Sequence, residues 1–332
     1  MSESRRGFLK ASLTAAAAMA GSSPRAVFAD QSSGRTADRE PMRASVMAYS
    51  FHGLLKEGKM DVFGFLETCK YRYQLQAADL WNGFIVSTEE GYLQKVKDAL
   101  DERELVVPNL AVDGAHIWVD DASVRSKNYE NALAHLKAGK ILGARFVRID
   151  AGGGAQDKEW SNEAFDHIVK RYQEYAQYAY DHGFKAGAEV HWGPEHYWPS
   201  MQKLYKAVNH PGFGICCHIG GWGGTPQEVD VADREAAPWV VHTHIDWTIT
   251  EGPLVEKMTN LRNAGYQGFY SVEHHSAKAE YAEVAIQLSK VRAVLQSWRT
   301  GGTGASSYTS RLARPTGGAD RPSELADPSQ MM

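Results

Sequence analysis

From Arg43 onward, runs rich in β-branched and aromatic residues alternate with segments of helical periodicity, and this alternation limits the fold more than any other feature of the chain. The β-rich runs fall near residues 44–49, 73–80, 105–112, 144–150, 185–191, 213–219, 239–246 and 268–275. Between them lie amphipathic stripes. Ser87-Thr88-Glu89-Glu90 reads as a capping box, after which Tyr92, Val96 and Leu100 recur at helical spacing. Phe165, Ile168, Val169, Tyr172 and Ala176 form a second stripe that stops at Gly183, and Leu254, Met258 and Leu261 a third that stops at Gly265. A last helix over 279–298 places Val284, Leu288, Val291 and Leu295 on one face. Alternation of this kind predicts a parallel sheet wrapped by helices, and eight units predict closure into a single (β/α)8 TIM barrel.

Such a barrel takes about 250 residues, which fits residues 43–299 of the 332. The ends read differently. Ser4-Arg5-Arg6-Gly7-Phe8-Leu9-Lys10 matches the twin-arginine export pattern, with an apolar run at 11–20 and a small-residue cleavage signal at Val27-Phe28-Ala29. Residues 1–29 are therefore expected to be a signal peptide, 30–42 a polar leader, and 300–332, rich in Gly, Ser and Pro without periodicity, a disordered tail. The apolar run is too short to span a bilayer, which takes about 20 residues. The expected location is the periplasm, reached as a folded protein through the twin-arginine machinery, with the metal loaded beforehand in the cytoplasm.

A net charge of −4 argues against a nucleic-acid partner, which usually meets a basic face. Cys69, Cys216 and Cys217 are too few and too awkwardly placed for a disulfide framework and read as buried thiols. The 13 histidines are more informative, because several close the later β-runs. Residues two apart on a strand share a face, so Glu189 pairs with His191, His242 with His244 and Asp246, and Glu273 with His275. With His218 closing the sixth run, four successive strand ends carry metal-capable or acid/base side chains. In such barrels the active site lies at those ends.

These residues carry a resemblance. From about Arg43 to Trp298 the chain resembles the xylose isomerase-like superfamily of TIM barrels, through the Glu-x-His of strand five, the His-x-His of strand seven and the Glu of strand eight. The resemblance implies one divalent metal, held by Glu189, His218, His244 and Glu273. His218 stands where many relatives have Asp: they read Asp-Ile-Gly-His-Trp, whereas this chain reads His218-Ile219-Gly220-Gly221-Trp222. Two carboxylates and two neutral imidazoles leave a divalent site near zero charge and shift preference from magnesium to manganese, with zinc, cobalt or iron as alternatives. His242, Asp246 and His275 share parity with ligands and are expected to orient them or to line the pocket.

The resemblance also implies the chemistry: removal of a proton next to a carbonyl, giving a metal-stabilised enediolate, with Glu189 and Glu273 as the proton-transfer pair and His191 sharing the work. Trp81, Trp118, Trp192, Trp222 and Trp247 fall at or just after strand ends, where they are expected to stack on a sugar together with Asp246 and His275. Ala151-Gly152-Gly153-Gly154 lacks the Lys-Ser/Thr of a phosphate loop, which argues for an unphosphorylated substrate. The expectation is a sugar isomerase or epimerase. Two alternatives stay open: a β-elimination lyase acting on 3-keto glycosides, and a non-catalytic periplasmic carbohydrate-binding protein. Expected partners are a small carbohydrate, the export machinery and, in a homo-oligomer, further copies of the chain.

Overall fold

The computed structural model describes residues 42–301. The twin-arginine segment, the cleavage site, the leader before Met42 and the tail after Gly301 lie outside them. Eight parallel strands form one sheet: β1 (Ala44–Val46), β2 (Leu80–Trp81), β3 (Leu110–Val112), β4 (Phe146–Ile149), β5 (Lys185–Glu189), β6 (Phe213–His218), β7 (Val240–Ile245) and β8 (Tyr270–Val272). Their order is β1-β8-β7-β6-β5-β4-β3-β2. A parallel bridge between Met47 and Asp79 joins the two ends, and the Ala48 N–H donates to the Asp79 carbonyl at 2.9 Å. The sheet is thus a closed (β/α)8 barrel without edges.

A helix follows each strand: α1 (Val62–Glu67), α2 (Glu90–Glu102), α3 (Ala122–Leu142), α4 (Asn162–Asp181), α5 (Trp198–Val208), α6 (Pro226–Ala236), α7 (Leu254–Asn263) and α8 (Glu280–Arg299). The sequence stripes are buried as their spacing dictates. Ile168, Tyr172 and Ala176 of α4 and Val284, Leu288, Val291 and Leu295 of α8 face the sheet side of the helix layer and are buried. The Tyr172 hydroxyl also donates to the Ile149 carbonyl at 2.6 Å, tying α4 to the end of β4. Gly183 and Gly265 end α4 and α7 at φ +80 and +86, a conformation that disfavours a Cβ.

Two local readings change. Residues 73–79 pair only at Ala77 and Asp79, because a π-helical turn at Thr68–Arg72 and a left-handed Gln74 (φ +53) occupy the approach to β2. Ser87 does not cap α2: the helix starts three residues later, and the Ser87 hydroxyl accepts from the Glu89 N–H at 3.1 Å as a local turn. The capping box lies instead at Thr225 and Glu228, which bond each other's backbone N–H groups around Pro226 at the start of α6. All three cysteines are free and buried. Among the described residues no helix is long and apolar enough to cross a membrane.

Candidate metal centre

Register brings the later strand ends to one level. His218 pairs with His244 between β6 and β7, Glu189 closes β5, and the Glu273 N–H donates to the Ile245 carbonyl at 2.8 Å just past β8. One nitrogen or oxygen from each of Glu189, His218, His244 and Glu273 lies within 4.8 Å of the others. His244 Nδ1 is 2.6 Å from Glu189 Oε1 and 3.5 Å from Glu273 Oε2, while His218 Nδ1 is 3.8 and 3.7 Å from the same two oxygens. The four donors come from the ends of four successive strands, β5 to β8. Two carboxylates and two imidazoles are a suitable donor set for a divalent ion.

The surroundings keep both carboxylates ionised. Burial pushes the Glu189 carboxyl up, but His244, Arg148 and His218 together hold it well below the usual range. Burial likewise opposes ionisation of Glu273, and His244, His275 and His218 bring it down to about 2. The two groups differ in how they are held. Glu189 is tied at both oxygens, to His244 and to Arg148 Nε at 2.9 Å. Glu273 Oε2 is buried without any hydrogen-bond partner: the nearest nitrogens, of His244, His275 and His218, stand 3.5, 3.6 and 3.7 Å away, so its charge is met only at a distance. A cation at the centre of the four donors supplies that partner, so the residues fit a metal.

Strands β3 and β4 add a second polar group that the strand-end pattern of the later strands did not include. The Arg148 guanidinium, 3% exposed, contacts Asp113 and Asp150 at 2.9 Å each as well as Glu189. His191 Nδ1 lies 3.1 Å from Asp150 Oδ2 and His116 Nε2 3.8 Å from it. Burial opposes protonation of His191, yet Asp150 and Glu189 raise it to about 9. Asp150, Glu189 and His191 also fall within metal-binding distance of one another, but the guanidinium already meets both carboxylates and a second cation there would face it directly. The signal for these residues was present: Arg148 and Asp150 are two apart at the end of their strand, as Glu189 and His191 are.

The remaining sequence candidates divide. His275 Nε2 is 3.6 Å from Glu273 Oε2 and its ring stacks on His218 at 5.5 Å, so it borders the centre. His242 is buried one layer deeper, 2.6 Å from Asp79. Asp246 caps a short helix, Trp247–Glu251, by accepting from the Ile249 N–H, and it adds to the charge that raises His275. Trp81 donates to Asp113 at 2.6 Å and meets Tyr49 edge-on, which in turn lies 6.2 Å from His275. Trp192 meets His116 at 4.6 Å, and its Nε1 is buried without a partner.

Two tryptophans are carried elsewhere. Trp118 packs under Arg125 and against His167, beside the cleft between α3 and α4. Trp222 is 3% exposed, packs on Trp198 and donates to Asp233 at 3.0 Å, so its ring belongs to the helix layer rather than to a pocket wall. That bond has its own consequence. Asp233 also accepts from the Gly220 N–H at 3.2 Å and pairs with buried Lys257 at 2.6 Å, fixing the loop that follows His218. Within the loop, a Cβ at Gly221 would lie 2.9 Å from the His218 carbonyl oxygen and 3.2 Å from its Cβ. The glycine at 221 thus suits the close approach of the main chain of residue 218, whatever side chain that residue carries.

The sequence matches the profile of the xylose isomerase-like TIM barrel family over residues 74–291. No curated protein matches it. Among solved structures it is similar to a 3-keto-D-glucoside 4-epimerase from E. coli, at 14% identity and TM-score 0.60 over 76% of this chain and 99% of that one. It is also similar to a D-psicose 3-epimerase solved in the presence of D-fructose, at 15% identity and TM-score 0.59 over 79% and 100% of the two chains. A barrel protein from Mycobacterium smegmatis in complex with magnesium matches at 12% identity and TM-score 0.58 over 72% and 90%. At such identities the likeness is one of fold, and with the profile match over well more than half of its length it shows that this chain belongs to the xylose isomerase-like TIM barrel family.

Proposed function

We propose that the protein is a metal-dependent enzyme that removes a proton next to a carbonyl of an unphosphorylated sugar or sugar derivative, with isomerisation or epimerisation as the outcome. The observation that carries this reading is the buried Glu273 Oε2, which has no hydrogen-bond partner and lies in one donor set with Glu189, His218 and His244. Those four residues would hold the ion. When bound, the ion supplies Lewis acidity that polarises the carbonyl and stabilises the charge that develops on it. Manganese suits the two-nitrogen, two-oxygen set and loading before folded export to the periplasm.

The protein's own residues divide the proton work by how they are held. Glu273 has the free oxygen and is the proton acceptor that can turn toward a substrate carbon. Glu189, fixed by Arg148 and His244, faces it across the centre and keeps its charge. A sugar is favoured by the aromatic and carboxylate side of the mouth, where Trp81, Trp192, Asp113 and His116 lie. Phosphate is disfavoured because the glycine loop is already engaged: the Ala151 N–H donates to Glu195 at 2.7 Å and the Gly153 N–H to the Trp118 carbonyl at 3.0 Å. The resemblance to two sugar epimerases supports the same substrate class.

One observation favours a second reading. His191, held through Nδ1 by Asp150, keeps Nε2 free and is a third proton-transfer group beyond the two carboxylates. Protonation of a departing oxygen needs such a group, and β-elimination from a 3-keto glycoside uses the same first proton removal. Incubating manganese-loaded and chelator-stripped protein with a panel of free sugars and 3-keto glycosides in deuterated water tests both. Metal-dependent deuterium incorporation without cleavage marks an epimerase or isomerase, and aglycone release marks a lyase. Binding of a sugar with neither outcome would leave a non-catalytic carbohydrate-binding protein.

A further inference from the structure

We propose that Asp79 is a positioning residue that sets which nitrogen of His244 is available to the metal, an inference that rests on the metal reading above. Asp79 is fully buried at the seam where the barrel closes. Its Oδ2 accepts from the Ser271 hydroxyl and lies against His242 Nε2, each at 2.6 Å, and its Oδ1 accepts from Asn109 Nδ2 at 2.9 Å. His244 Nε2 is 3.3 Å from the same Oδ2, not aligned for a hydrogen bond, and it has no other partner. His244 Nδ1 faces Glu189 and Glu273 on the opposite edge of the ring.

A histidine ligates through the lone pair of one nitrogen, and the acceptor beside the other nitrogen decides where the ring proton stays. Asp79 is the acceptor beside Nε2. Once an ion takes the Nδ1 lone pair among the four residues, the Asp79 charge 3.3 Å away favours the ring proton at Nε2, and Nδ1 is kept for the centre. Asp79, His242 and His244 also lie within 4.8 Å of one another, the spacing of a second metal site. The hydrogen bonds argue for positioning instead, since three donors already occupy the carboxylate from β3, β7 and β8 and a cation would have to displace them.

The substitution Asp79→Asn separates the two roles. Asn109 donates to the Oδ1 side, so the amide carbonyl stays there and the NH2 takes the place of Oδ2, facing His244 Nε2 with a donor. The ring proton then moves to Nδ1, the nitrogen that must ligate. Manganese is titrated into metal-free protein against a competing chelator, with the metal-free melting temperature read alongside. Wild type should bind one equivalent, and Asp79→Asn should bind it roughly 10- to 100-fold more weakly. Ser271→Ala, which removes one anchor of Oδ2 but keeps the carboxylate, should weaken binding by roughly three- to tenfold and serves if Asp79→Asn does not fold. A purely structural role would lower the metal-free melting temperature and leave the affinity of the folded protein unchanged, which overturns the proposal. Two equivalents in wild type with one lost in Asp79→Asn would make Asp79 a ligand and overturn it as well. Absence of manganese binding in wild type would sink the metal reading itself and the proposal with it.

Discussion

Arg148 and Glu189 form a buried ion pair inside the barrel, with Arg148 Nε 2.9 Å from Glu189 Oε2, while the other oxygen of the same carboxylate holds His244 Nδ1 at 2.6 Å. Glu189 therefore joins the donor set of strands β5 to β8 to the Arg148 group of strands β3 and β4. Glu273, its counterpart across the centre, has no such link.

This asymmetry predicts different costs for equivalent substitutions. Glu189→Gln and Glu273→Gln should each reduce turnover at least about 100-fold, the usual scale of lost acid/base catalysis. Only Glu189→Gln removes a partner from a buried guanidinium. Complete loss of pairing at a buried charge costs about 3–5 kcal/mol, and because Arg148 keeps Asp113 and Asp150 the expected loss is a fraction of that, about 1–2 kcal/mol. Denaturant melts of the metal-free variants compare the two, and equal stability would contradict the linking role given to Glu189.

His218 is the residue at which the donor set departs from the family pattern. His218→Ala should lower metal content sharply, and His218→Asp should retain metal with one more negative charge beside the reacting carbonyl. That charge opposes the oxyanion developing on the substrate, so the Asp variant should turn over slowly. Elemental analysis paired with rates checks both steps. Full metal content in His218→Ala would place the fourth donor elsewhere.

A pH prediction follows from His191. Asp150 and Glu189 raise it to about 9, above the ordinary 6.5. Its charged form thus contributes stability that is fully present below about pH 6.5 and is lost as pH rises through about 9. In melts of metal-free protein between pH 6 and 10, the wild type should lose stability relative to His191→Gln, whose amide keeps a hydrogen bond to Asp150 but does not titrate. Parallel pH profiles would show that the pair with Asp150 carries no linkage.

The export proposal rests on Ser4 to Lys10. Replacing Arg5 and Arg6 together by Lys should retain the protein in the cytoplasm, whereas the wild type should reach the periplasm trimmed after Ala29. Cell fractionation with N-terminal sequencing reads both, and normal delivery of the double variant would remove the twin-arginine assignment.

Sequence alone determined the repeated strand and helix units, the closure they imply and the strand-end residues Glu189, His218, His244 and Glu273. The units follow from periods of 2 and 3.6 residues, which are local and survive in any tertiary context, and the family resemblance singled out those four among the strand-end candidates. The capping signal was legible only in kind: both Ser87 and Thr225 precede a Glu by three residues, and packing chose Thr225, with Pro226 setting the first turn. Which tryptophans face the mouth was not legible either. Trp81 closes its strand and Trp222 follows one, but a buried Asp233 draws the indole of Trp222 into the helix layer. The partners of the donor set were decided by strand pairing and barrel closure. Asp79 reaches His242 across 163 residues and Ser271 across 192, and Arg148 reaches Glu189 from the neighbouring strand. No local spacing encodes such contacts, because the first two exist only once the barrel closes and the third only once β4 and β5 pair in register.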